Sequence, residues 1–129
     1  LEKAVQKAPI QAKETLIELA KEFKASAKKR AKKETKHVKR EAGEENKAIA
    51  KRWGHKLVGD RLGAAALVWN SAPHFHLVED GHQLVRGGRA IGFVPGKHIM
   101  EKTRTEYKDV VPERFEKMIE DILKESDLN

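Results

Sequence analysis

Cysteine is absent from the 129 residues, which removes disulfides, thiolate zinc sites and cysteine nucleophiles together; any bound metal would need histidine and carboxylate ligands. Aromatic residues are few, with two Trp, one Tyr and four Phe. No apolar run approaches the roughly 18 to 20 residues that span a bilayer, and the first residues form neither a signal peptide nor an apolar anchor. A soluble protein with no membrane partner is expected. Gly-x-Ser-x-Gly and HExxH are also missing, and Arg86-Gly87-Gly88-Arg89 is too short for a P-loop and lacks its Lys-Ser/Thr ending. The common hydrolase and nucleotide-binding signatures are thereby excluded.

What is present is one domain's worth of chain, long enough to bury roughly two thirds of its unfolded surface without staples. Its net charge of +7 is unevenly placed. Residues 1 to 40 carry 13 Lys or Arg against 5 Glu, a balance of +8, whereas the other 89 carry 14 against 15, a balance of −1. Such polarity points to a polyanion or an acidic partner for the N-terminal part.

From Leu1 to about Ala42 the residues are mostly helix formers, interrupted early by Pro9, so a long helix is expected. Ala12, Leu16, Leu19, Ala20, Phe23, Ala27 and Ala31 recur in steps of three and four, giving a narrow stripe that packs richly at first and then only through alanines. The second half should hold on weakly and part of it should project. Gly43 to Asn46 breaks the pattern, which divides the chain into a basic arm over residues 1–42 and an α+β core over 43–129. Within the core, Ala48 to Asp60 alternates like a strand, Gly59 to Gly63 reads as a turn, and Ala64 to Asn70 reads as a second strand stopped by Asn-Ser-Ala-Pro. A third short strand is expected over Ala90 to Val94. Helical spacing returns from about His98 to Lys108 and again over 112–126, where Pro112 suits the first turn and Phe115, Met118, Ile119, Ile122 and Leu123 share a face.

Trp69 to Met100 holds four of the six histidines and two of the four prolines, together with Gly81, Gly87, Gly88, Gly92 and Gly96. Three readings are open for this segment: a metal site, a catalytic loop or a rigid contact surface. His74, His76, Glu79, His82 and His98 could supply imidazoles and a carboxylate to zinc or iron in a metal-dependent hydrolase. Pro73 before His74 and Asp80-Gly81 after Glu79 favour a turn or short helix, on which His76, Glu79 and Asp80 share a side while His74 drifts away. Gly87-Gly88 reads as a tight turn at positive φ that leaves Arg86 and Arg89 free to meet carboxylates. Trp53 and Trp69, one in each of the first two strands, read as core or cross-strand partners.

Lys28, Lys29, Arg30, Lys32, Lys33, Lys36, Lys39 and Arg40 could neutralise several phosphates, so a nonspecific DNA-binding module using the arm from Lys21 to Arg40 is an alternative. No aromatic residue interleaves with them and no helix-turn-helix or RNA-binding signature accompanies them, which argues against sequence-specific recognition.

The order Lys51-Arg52-Trp53, Val68-Trp69-Asn70, His76-Leu77-Val78-Glu79-Asp80-Gly81-His82, Gly87-Gly88-Arg89 and His98-Ile99 resembles the tail-completion, or head-tail joining, proteins of long-tailed double-stranded-DNA bacteriophages and prophages. The likeness spans about residues 48 to 105. It departs at Lys97, where that family usually has proline before His-Ile, and in the more basic N-terminal helix. The resemblance implies a non-enzymatic, cofactor-free component of the virion neck, assembled in the host cytoplasm as a homo-oligomeric ring. Its implied partners are the head-closure or connector protein, the tail terminator, the tail tube and the DNA that passes through. Trp53, Trp69, Asn70, His76, Glu79, Gly81, His82, Arg86, Gly87, Gly88, Arg89 and His98 would then shape the loop or form the interface. The expected architecture is α+β: a long N-terminal helix, a small antiparallel β-sheet, a His/Gly-rich loop and C-terminal helices.

Overall fold

The structure, a computed structural model, describes residues 2–34, 51–60 and 63–127. Its elements run α1 (Glu2–Glu34), β1 (Trp53–Asp60), β2 (Gly63–Asn70), α2 (Phe75–Asp80), β3 (Gly81–Arg86), β4 (Arg89–Pro95), α3 (Ile99–Tyr107) and α4 (Val110–Asp127). The mixed architecture foreseen from the sequence is present, with the strands divided between two antiparallel pairs, β1–β2 and β3–β4.

Helix α1 continues through Pro9 and, at about 1.5 Å per residue, is roughly 50 Å long. It packs against β1, β2, α3 and α4. Ala27 and Ala31, expected to hold weakly, are among its best-buried residues and form the core cluster with Ala72 and Ile99. The reason is steric: a methyl side chain lets the helix axis approach α3 closely, so Ile99 fills the space that a larger residue would need. Trp53, Phe75, Val78 and Met100 close over that cluster, with the Trp53 and Phe75 rings edge to face at 5.5 Å. Up to Glu34 the helix is therefore packed rather than projecting, and the remainder of the expected arm, with Lys36, Lys39 and Arg40, lies outside the described residues.

Strand β1 pairs with β2 so that Trp53 faces Asn70, His55 faces Val68 and Leu57 faces Ala66. Because side chains alternate across a strand, these residues share the face turned to α1, where Lys24 Nζ lies 2.9 Å from His55 Nδ1. Trp69 falls on the other face and lies across Gly54, where a Cβ would come within 2.7 Å of the indole. The two tryptophans are thus not cross-strand partners. The strand begins at Trp53 rather than at Ala48, since Lys51 is helical and residues 48–50 lie outside the described residues.

Two further expectations are corrected. The strand foreseen over Ala90 to Val94 exists as β4, but it pairs with β3 and not with β1 or β2. The segment expected as a His/Gly-rich loop holds the short helix and the Gly87-Gly88 turn that its residues suggested, but the flanking residues form this hairpin in place of a loop. Helix α4 packs antiparallel to α1, tied by Glu22 to Arg114 near one end and by Lys7 to Glu125 near the other.

Candidate functional site

Asn70 ends β2 and turns the chain: its Oδ1 accepts the N–H of Ala72 at 2.9 Å, and Ser71 N–H donates to Arg52 O at 2.9 Å. Pro73 then blocks further pairing and α2 begins at Phe75. On this one-and-a-half-turn helix His76, Glu79 and Asp80 do share a side. They line an open pocket of about 540 Å³ with His98 and Glu101, whereas His74 is not among the lining residues.

Glu79 carries the geometry of the segment. One carboxylate oxygen accepts the N–H groups of Met100 at 2.9 Å and Glu101 at 3.1 Å, and the other accepts from Met100 at 3.0 Å. The first N–H groups of a helix have no intrahelical acceptor, and here a side chain from another element satisfies them while opposing the helix dipole with a negative charge. His98 occupies the N-cap position of α3 but makes no side-chain cap; its backbone is left-handed, at φ 51°, and its Nδ1 lies 3.0 Å from Glu101 Oε2. The backbone completes the union, because Lys97 N–H donates to Val78 O at 2.7 Å and His98 N–H to Glu79 O at 3.1 Å. The C-terminus of α2 and the N-terminus of α3 are therefore fastened to each other.

Two glycines make that contact sterically possible. A Cβ on Gly96 would lie 2.3 Å from Glu79 O, and one on Gly81, which has φ 88°, would lie 2.5 Å from Val94 O. Any side chain at either position would force the chains apart.

From this clamp the β3–β4 hairpin extends. Gly87 at φ 56° and Gly88 at φ 77° form its two-residue turn, the combination that matches strand twist, and Arg86 pairs opposite Arg89 at the exposed tip. A bulge between Leu84 and Val85 shifts the register. Leu84, Val85, Ile91 and Phe93 are 39, 55, 55 and 63% exposed, so apolar side chains stand in solvent on both faces. His82 is half-buried at the base, with Nδ1 3.1 Å from Gln83 O.

The other sequence-derived candidates separate. Trp53 lies beside the core with Nε1 buried and no acceptor among the described residues. Arg30 turns inward, donating from Nε to Thr103 Oγ1 at 3.4 Å and pairing with Glu106, whereas Lys28, Lys29, Lys32 and Lys33 are exposed. Among the described residues no three His, Asp or Glu side chains converge as a metal-binding group. No described helix is long and apolar enough to cross a membrane.

Sequence reasoning missed the exposed apolar residues of the hairpin and the close approach at Gly96. The short runs Leu84-Val85 and Ala90-Ile91-Gly92-Phe93-Val94 on either side of Gly87-Gly88 carried the signal for the hairpin. Comparison of the chain with protein-family models, with curated proteins and with solved structures finds no match.

Proposed function

We propose that this chain is a structural subunit of a bacteriophage neck, a tail-completion protein that assembles with copies of itself into a ring between the tail and the head portal complex. The observation that carries the reading is the role of Glu79, Gly81 and Gly96 in fastening α2, β4 and α3 into one rigid base beneath a hairpin whose apolar side chains lie in solvent. The motif His76 to His82 that resembles the tail-completion family serves shape here. The Glu79 carboxylate is engaged by the backbone N–H groups of Met100 and Glu101 at the start of α3, which supports a structural role for it. An isolated two-stranded hairpin is marginal in water, and exposed apolar side chains gathered on one mark a surface that another molecule covers.

The virion is the proposed location, with the head-closure or connector protein, tail terminator and tail tube as proposed neighbours. Light scattering and electron microscopy of the purified chain test the reading. Ring-sized assemblies are expected, whereas a monomer at every concentration, alone and mixed with neck partners, counts against it. Elemental analysis of untagged protein is expected to give less than about a tenth of an equivalent of metal, and a stoichiometric ion would reinstate the hydrolase reading.

The exposure of Lys28, Lys29, Lys32 and Lys33 favours a second reading, nonspecific contact with DNA through α1. It requires affinity that falls steeply with salt and disappears when these lysines are neutralised.

A further inference from the structure

The hairpin is not the only apolar surface left open. On α4, Ile119 is 51% and Leu123 40% exposed, and by helical spacing Glu116 and Glu120, both exposed, lie on the same face. Neither glutamate forms an ion pair among the described residues. Helix α4 carries six acidic side chains against three basic ones, in a chain whose overall charge is +7. The hairpin, from Gly81 to Pro95, has no acidic residue and ends in Arg86 and Arg89.

We infer that the β3–β4 hairpin of one copy docks on the outer face of α4 of the next. Phe93 and its apolar neighbours lie against Ile119 and Leu123 while Arg86 and Arg89 meet Glu116 and Glu120. The inference rests on the reading of this chain as a self-assembling subunit and names the surfaces that do it. Two different patches of one polypeptide complement each other in both hydrophobicity and sign of charge. A copy is thereby identified as the occupant: the +7 chains repel one another at long range, and contact forms where a negative element meets the basic tip. Because the patches are distinct, the contact is head to tail and propagates from copy to copy until rotation closes it, which is the geometry of a ring and not of a two-fold dimer. Arginine suits the tip, since its planar guanidinium can grip a carboxylate through two hydrogen bonds.

Charge reversal on the full chain tests the contact, with sedimentation velocity as readout and circular dichroism confirming that each variant is folded. R86E/R89E and E116K/E120K, each alone, are expected to raise the concentration needed for assembly at least about tenfold, the effect of losing a close charge pair. An equimolar mixture of the two variants should assemble again, since each reversed hairpin then meets a reversed helix, and so should the fourfold variant alone. Phe93→Ser should weaken assembly without altering the folded monomer. If the wild-type chain assembles but the reversals leave it unchanged, or weaken it without mutual rescue, this contact is wrong and the subunit reading stands. If the wild-type chain stays monomeric alone and with neck partners, both fall.

Discussion

Glu79 reaches across 21 positions of sequence to accept the backbone N–H of Met100 at 2.9 Å, so the start of α3 is capped by a side chain from the last turn of α2. An ordinary cap comes from the residue just before the helix. Here that position belongs to His98, whose left-handed backbone turns the chain while its ring pairs with Glu101.

Replacing Glu79 by alanine should therefore loosen the clamp, not merely one helix end. A loss of about 1–2 kcal/mol is expected, with Glu79→Gln losing less because the amide oxygen still accepts. Thermal unfolding and amide exchange at Met100 and Glu101 measure it, and exchange there should rise in the alanine variant before it rises in α1.

Gly96→Ala and Gly81→Ala should each cost more than about 2 kcal/mol or abolish folding, because the added methyl meets backbone and not a movable side chain. Gly92→Ala is the control on the same hairpin. A Cβ there meets nothing within 4 Å, and its effect should stay within about 0.5 kcal/mol.

Arg114 donates to both oxygens of Glu22, at 2.7 and 3.0 Å, and the hydrogen bond holds the carboxyl below its ordinary value. A carboxyl lowered in the folded state stabilises above the pKa of the unfolded chain, and that stability is lost as pH falls through the folded value. Arg114→Met should thus lower Tm at neutral pH and hardly at all in strong acid. Both side chains are about a third exposed or more, so the difference should not exceed roughly 0.5–1 kcal/mol.

Arg30 and its lysine neighbours should behave differently although their sequence context is alike. Arg30→Ala removes contacts to Thr103 and Glu106 and should destabilise by about 1–2 kcal/mol. Alanine at Lys28, Lys29, Lys32 and Lys33 together should leave Tm almost unchanged while reducing any DNA retention measured by filter binding at low salt.

The parts of the fold visible in the sequence are those with one buried face. In α4, Phe115, Met118 and Ile122 mark the packed side, and Trp53, His55 and Leu57 alternate in β1, because one-sided burial imposes a period on the chain. Helix α3 was placed to within a residue. The β3–β4 hairpin has no buried face and so no period, which is why β3 was missed and the strand over Ala90 to Val94 was foreseen without its partner. The cap at Glu79 escaped for a different reason: its acceptor role depends on a contact that only the folded chain creates. Arg30 was within reach, since it follows Ala27 by three and precedes Ala31 by one and therefore borders the alanine stripe. The shared side of His76, Glu79 and Asp80 followed from helical spacing alone.

The crossing at Gly81 and Gly96 bears on the proposed ring. A ring tolerates little angular drift, since a small deviation at every step accumulates around the circumference and leaves a gap or a spiral. With backbone against backbone at its root, the hairpin leaves the body on a fixed bearing, identical from copy to copy, so the curvature of the assembly would be inherited from two missing side chains.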